Sequence, residues 1–420
     1  VSSTKLSGAD YFFLVIGHHL KKQGINSLDC RYIMKLDQPL PEERLQQAIR
    51  NSAYFQQLEK TRIKLKKSGV PRWELSNQIH PTQVGVHTAI GNKIPDSILS
   101  QNILLEDGYL YRFDVVHHPT FTTIIFSWHH ILLDAFGAGN VLASLNYDAE
   151  IDASNFLGKD VKENKRTQWK NLVEAKDFLK EIAQKPILEI LPREGNNKVG
   201  YLAHRFTTDE TAYIQKQVKK YSRGGIETPY LLGHVAMAYH KLLTQKGMGQ
   251  KDIWVPVPIE TRKTGAQGPI IGNWHSLLFF RIKCKLLTDK AAVVKDLNAQ
   301  FFEQVKRKMP QKYASMLRML RVLPISFYYR LVKRPNGSAI SGMLYSQSPP
   351  NKGLQHFLGC KVLDTTPLPP NTSPPGISFQ ITTFENRLKL IAQYNHNYFS
   401  TQEIEGLMKE MVQQLIGDYA

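Results

Sequence analysis

The stretch FSWHHILLDAFGAGN, residues 126–140, sets two adjacent histidines and an aspartate four places beyond the second of them directly behind an apolar run. The residues before it, TFTTIIFSWHH (120–130), carry the β-branched and aromatic content of a strand, and AFGAGNVLASLNY behind it reads as a helix. The motif therefore occupies a strand-to-helix turn. A histidine at the end of a strand points into a cavity instead of a packed sheet. With an ordinary pKa near ~6.5, a neutral imidazole there can take a proton from a hydroxyl or amine at neutral pH. Asp134 can reach back to fix the turn or pair with an arginine elsewhere, and Gly137 and Gly139 allow close approach of backbone or substrate.

The chain has two other histidine pairs. His18-His19 is followed four places on by Gln23, and His117-His118 by Thr122. Neither carries the aspartate or the glycines, and both read as packing or surface residues.

Working outward, CRYIMKL (30–36) alternates like a strand, and Pro41 opens a helical stretch, PEERLQQAIRNSAYF. A basic, irregular stretch follows, then a strand YLYRFDVVHH (109–118), joined through a tight connection at 119–120 to the motif strand. A charged helix, VKENKRTQWKNLVEAKDFLKEIAQK (161–185), leads to the polar stretch PREGNNKVG (192–200), which marks a lobe boundary. The expected lobes are 1–190, carrying the motif, and 200–420.

In the second lobe GYLAHRF is a strand, Thr208 caps the helix beginning DETAYIQKQ, and Thr228 with Pro229 opens an apolar helix. DIWVPVPI (252–259) and IIGNWHSLLFFRIK are strands around the loop ETRKTGAQGP. GISFQITTF and RLKLIAQY flank Glu385-Asn386 as a hairpin, and TQEIEGLMKEMVQQL closes as an amphipathic helix. Strands and helices mix in both halves, so the class is α/β or α+β.

Composition narrows the functions less. Of 420 residues, 42% are hydrophobic and 21% charged, as in an ordinary globular protein. Cys30, Cys284 and Cys360 have no metal-ligand spacing, so they read as reduced, buried residues, with no metal expected. The opening YFFLVIG run lacks the lead-in and cleavage site of a signal peptide, and no run is long enough for a membrane span. The expected location is the cytoplasm. The net charge of +18 suits an anionic partner. Nucleic acid is not expected, since no zinc-finger, RNP-type or arginine-rich motif is present.

The stretch HHILLDAFGAG resembles the active-site motif of the thioester-dependent acyltransferase superfamily. That superfamily includes chloramphenicol acetyltransferase, peptide-synthetase condensation domains, wax ester synthases, polyketide-associated acyltransferases and the plant HxxxD enzymes. Ala135 stands where many bacterial members have glycine. Three further stretches fit in order: LSGADYFFL resembles an LSxxD opening, DIWVPVPIETR a strand closing on Arg262, and IIGNWHSLLFFRI the glycine-asparagine strand with Gly272 and Asn273. YSQSPP (345–350) matches a tunnel loop only weakly, with Gln347 in place of asparagine, and receives no role.

The resemblance implies two chloramphenicol-acetyltransferase-like lobes, each a mixed sheet with helices, forming a V with a central tunnel. It implies His130 as the base, with His129 beside it, and Asp134 paired to Arg262, with Gly137 in support. Ser276, Asn273 and the indole N–H of Trp274 are then candidates to hold the oxyanion. The acyl donor would be acyl-CoA or an acyl-phosphopantetheinyl carrier protein, with no resident cofactor. The acceptor would be the hydroxyl of a hydrophobic small molecule. An amide-forming condensation enzyme and a non-catalytic recruitment module are the competing readings. SMLRMLRVLPISFYYRLVKR (315–334) mixes apolar and basic residues, which suits either a peripheral membrane contact or a buried helix pair with a basic rim. A monomer is expected.

Overall fold

The computed structural model describes residues 2–22, 28–65, 69–91, 93–147, 156–159, 161–182, 187–193, 198–263, 265–332, 341–348, 353–370, 373–417 and 419. Parts of the polar stretch 192–200, the end of the 161–185 segment, residues 333–334 and residues 349–350 thus lie outside the described residues.

The motif strand Thr122–His129 is buried along its whole length in a six-stranded sheet. Its neighbours are Asp29–Leu36 and Tyr111–His117, both antiparallel to it. Gln83–Thr88 adds a parallel edge, and Cys360–Leu368 with the short His356–Phe357 completes the other side. Covering both faces explains why the central strands read as continuous apolar runs. One face carries the main core of the lobe, including Phe55, Phe113, Phe126 and Trp128. On the other face Ile33, Val116 and Ile125 meet Ile391 of the second lobe.

The second lobe is built on a four-stranded sheet ordered Leu344–Gln347, Ile377–Phe384, Arg387–Asn395 and Val199–Arg205. An antiparallel pair, Ile253–Glu260 and His275–Ile282, lies alongside it. The helices Thr208–Tyr221, Glu227–Gln245, Lys290–Lys306 and Thr401–Ile416 contribute to its core. The chain is therefore a two-lobed, mixed α/β molecule. Among the described residues no helix is long and apolar enough to cross a membrane.

Several elements differ from the sequence reading. The helix read from Pro41 breaks at Ser52 into Glu42–Asn51 and Ala53–Leu58. The stretch read as irregular holds the strands Thr61–Lys64, Arg72–Leu75 and Gln83–Thr88, the first two only four residues long, with little periodicity to read. Thr207, not Thr208, caps the helix Thr208–Tyr221, because Glu210 three places on completes a reciprocal capping box with it. Thr228 caps nothing: the helix begins at Glu227, and the Thr228 hydroxyl donates to Gln347 Oε1 at 2.5 Å. Cys284 is only partly buried, whereas Cys30 and Cys360 are buried, and all three are free thiols. The hairpin at Glu385-Asn386 is present, with both residues at positive φ (48° and 58°), as a two-residue turn of this hand requires.

The sheets do not follow chain order. Cys360–Leu368 comes from the C-terminal half yet pairs with Asp29–Leu36 in the motif lobe. The N-terminal helix Gly8–Lys22 packs against Met309–Leu320 and Ile325–Val332. Segments of both halves thus converge on the end of the motif strand.

Candidate active site

The main chain of the motif is held on every side. His129 N–H donates to Leu110 O and His130 N–H to Leu28 O, each at 2.9 Å, which continues the sheet to its last residue. The chain then turns, with Leu132 N–H donating to His129 O at 2.9 Å. The Trp128 indole donates to Leu133 O at 2.8 Å and ties the far side of the turn back to the strand.

His129 and His130 part ways at that turn. His129 is 4% exposed, and its Nδ1 accepts from Ile131 N–H at 3.2 Å. Burial, with the neighbouring His130 adding to it, pushes its pKa down to about 3. His129 is a neutral element of the turn. His130 is half-buried, less enclosed than His129. Burial lowers its pKa as well, opposed by nearby backbone carbonyls and the Asp134 carboxylate. Among the described residues its buried Nδ1 has no hydrogen-bond partner. Phe13 of the N-terminal helix stacks on the imidazole, with ring centres 4.1 Å apart.

Asp134 does not face the histidine. It caps the helix Ala135–Ala143, with Oδ1 accepting from Gly137 N–H at 2.9 Å. Arg262 of the second lobe donates to both oxygens, Nη1 to Oδ2 at 2.9 Å and Nη2 to Oδ1 at 3.2 Å. Trp274 N–H also donates to Oδ2 at 2.9 Å. The Arg262 guanidinium is held in turn by Pro269 O and Glu260 Oε2, and lies over the Phe136 ring. The Asp134 carboxylate is therefore fully engaged as a lobe-to-lobe tie. Gly137 makes the tie possible, since a Cβ there would come 2.5 Å from Ile270 O.

Asn273 and Trp274 lie at the site and Ser276 on the buried face of the neighbouring strand, and none of the three side chains presents a free donor. Asn273 Nδ2 donates to His130 O at 2.8 Å and to an Asp10 oxygen at 3.1 Å. The Trp274 indole donates to Ile271 O at 3.0 Å, and the fully buried Ser276 hydroxyl to Pro310 O at 2.6 Å. These groups shape the site; their engaged donors remove the physical basis for placing them at an oxyanion.

Asp10 and His275 were not singled out from the sequence. Asp10 is 2% exposed and accepts four N–H groups: Ser7 N, Trp73 Nε1, Asn273 N and Asn273 Nδ2. Burial raises its pKa, against the pull of those hydrogen bonds. Gly272, at φ 85°, brings the backbone so close that a Cβ would sit 2.8 Å from the Asp10 carboxylate. The aspartate of LSGAD was the available signal, although nothing local names its partners. His275 opens the strand His275–Ile282, with its ring centre 6.2 Å from that of His130 and 5.6 Å from that of Phe13. Burial lowers its pKa to about 4.

No family model matches the chain, and no curated protein matches it. Solved structures do. The first condensation domain of the calcium-dependent antibiotic synthetase, in complex with a substrate analogue, superimposes with a TM-score of 0.70 at 15% identity, over 99% of this chain and 96% of that one. The trichothecene 15-O-acetyltransferase from Fusarium sporotrichioides gives 0.68 at 10% identity, over 99% and 94%. The epimerization domain from the third module of tyrocidine synthetase B gives 0.66 at 10% identity, over 99% and 96%. The similarity runs through the whole chain.

Proposed function

We propose that this chain, which has the two-lobed fold of condensation domains and of an O-acetyltransferase, transfers an acyl group from a thioester to a hydroxyl, with His130 as general base. The observation that carries the reading is the state of His130. Its imidazole is neutral and half-buried, and its main chain is fixed by Leu28 and Asn273 where the lobes meet. Such a group can deprotonate an acceptor as it attacks a thioester carbonyl. The donor is acyl-CoA or an acyl carrier protein. The aromatic surroundings of the imidazole favour a hydrophobic alcohol or phenol as acceptor.

The test is transfer from a panel of acyl thioesters to alcohol and amine acceptors, with His130→Ala in parallel. Transfer to alcohols that falls by about 10²–10⁴-fold in a normally melting His130→Ala supports the reading. Transfer to amines alone would make the protein an amide-forming condensation enzyme. Full activity in His130→Ala would overturn the mechanism.

A peripheral contact with an anionic membrane is the second part of the proposal. Residues 315–334 divide between the two expectations for that segment: Ser315, Leu317 and Tyr328 are buried, whereas Val322, Phe327 and Leu331 are 64%, 50% and 54% exposed. Arg330 and Lys22 are exposed nearby, around a cavity of about 130 Å³ between the N-terminal helix and Ile325–Val332. Exposed Phe327 and Leu331 on the short helix Ile325–Val332, with Arg330 beside them and Lys22 on the neighbouring helix, favour a lipid surface.

A further inference from the structure

The acyl-transfer reading leaves one requirement unmet. A tetrahedral intermediate places negative charge on the former carbonyl oxygen, and a preorganised donor must meet it. Asn273, Trp274 and Ser276 have their side-chain donors engaged by protein acceptors. His275, between Trp274 and Ser276, differs from them. Its ring makes no hydrogen bond to another described residue.

The strand His275–Ile282 alternates strictly, with Ser276 buried and His275 on the opposite, half-buried face. That face looks toward His130. The two imidazole centres are 6.2 Å apart, tilted by 45°, and Phe13 packs flat on one ring and edge-on to the other. Centroids that close put the ring nitrogens roughly 4–6 Å apart, a separation from which two hydrogen bonds of about 2.7–3.1 Å can converge, from one side of the pair, on the two oxygens of one tetrahedral carbon. The Phe13 ring makes the gap apolar on one side, which strengthens any hydrogen bond formed inside it.

We propose that His275 is a second catalytic residue, donating an imidazole N–H to the oxyanion formed opposite His130. The step balances as follows. The acceptor hydroxyl gives its proton to His130, and its oxygen bonds to the thioester carbonyl carbon. The carbonyl π pair moves onto oxygen, where the His275 N–H holds it by a hydrogen bond without transferring the proton. Collapse of the intermediate breaks the carbon–sulfur bond, and His130 returns its proton to the departing thiolate, leaving ester and thiol. With its pKa pushed down to about 4, His275 is neutral at working pH and keeps one N–H to donate.

The test compares His275→Leu with His275→Gln, two side chains of similar size of which only glutamine can donate. This inference rests on the acyl-transfer reading, so wild type and His130→Ala are assayed beside them. With melting temperatures equal to wild type, His275→Leu is expected to lose about 10²–10³-fold in kcat with KM nearly unchanged. His275→Gln is expected to recover part of that loss. If wild type transfers and His130→Ala does not, yet His275→Leu keeps kcat within about threefold, the His275 assignment falls alone. Equal losses in His275→Leu and His275→Gln also overturn it, since size and not donation would then matter. A wild type as inactive as His130→Ala overturns the acyl-transfer reading, and this assignment with it.

Discussion

Arg262 grips both carboxylate oxygens of Asp134, at 2.9 and 3.2 Å, across 128 residues of chain, and does so with its side chain only 2% exposed. The pair joins the helix behind the histidine motif to the loop that follows Ile253–Glu260. Removing Arg262 leaves the Asp134 charge buried without a counter-charge, which costs about 3–5 kcal/mol, and removing Asp134 leaves Arg262 only the half-exposed Glu260, at a somewhat smaller cost. Urea unfolding of Asp134→Ala and Arg262→Ala should each show a loss of that order, with activity lost too. The double variant should lose clearly less than the sum. Full stability in either single variant would show that the tie is not what holds the lobes in register.

Asp10→Asn should be nearly as damaging as Asp10→Ala. All four partners of the carboxylate are N–H donors, and an amide would turn its own NH2 group toward two of them. Hydrogen bonds to a charged group contribute about 1.5–3 kcal/mol each, so a loss of about 3 kcal/mol or more is expected by denaturant unfolding. A stable Asp10→Asn would mean that the carboxyl is protonated in the folded chain.

Stability should fall as pH is lowered through the ordinary histidine range. In the unfolded chain His129 takes up a proton near pH 6.5, while in the folded chain its pKa is about 3. Between those values the unfolded state binds more protons, so stability is full above pH 6.5 and is lost progressively below it. From pH 6.5 to 5.5 this one group accounts for about 1 kcal/mol. His129→Gln should flatten that part of the profile in unfolding titrations. The lowered pKa of His130 also places the acid limb of kcat/KM below pH 6.5.

Binding to vesicles rich in anionic lipid should be measurable by sedimentation and weakened by salt. Phe327→Ser with Leu331→Ser should reduce it without changing turnover of a soluble acceptor. Equal binding of the double variant would move the contact elsewhere on the chain.

The net charge of +18 should also be visible in donor kinetics. CoA and the pantetheine arm carry phosphate, and salt screens attraction over about 8 Å at physiological strength. Raising salt should increase the donor KM much more than that of a neutral acceptor. A donor KM flat in salt, with vesicle binding salt-sensitive, would assign the charge to the membrane.

Much of the molecule was legible locally. The strand–turn–helix around His130 and Asp134, the Glu385-Asn386 hairpin and the closing helix all follow from patterns within about twenty residues, because strand alternation, helix periodicity and turn chemistry are short-range properties. The helix Thr401–Ile416 even carries its own start signal, the Ser400–Glu403 capping box. Spacing alone set Asp134 where it can cap the next helix.

What tertiary structure decided is who satisfies whom. Asp10 and Asn273 meet across 263 residues, and no local pattern says that the Asn273 donor will be taken by His130 O and Asp10. The same holds for Ser276 and Trp274, whose donors turn to Pro310 and Ile271, and for Cys360–Leu368, which crosses into the motif lobe. Residue type determines which hydrogen bonds a group can make; only the packed chain, where every buried donor must find an acceptor, determines which it does make and which donors are left for a substrate.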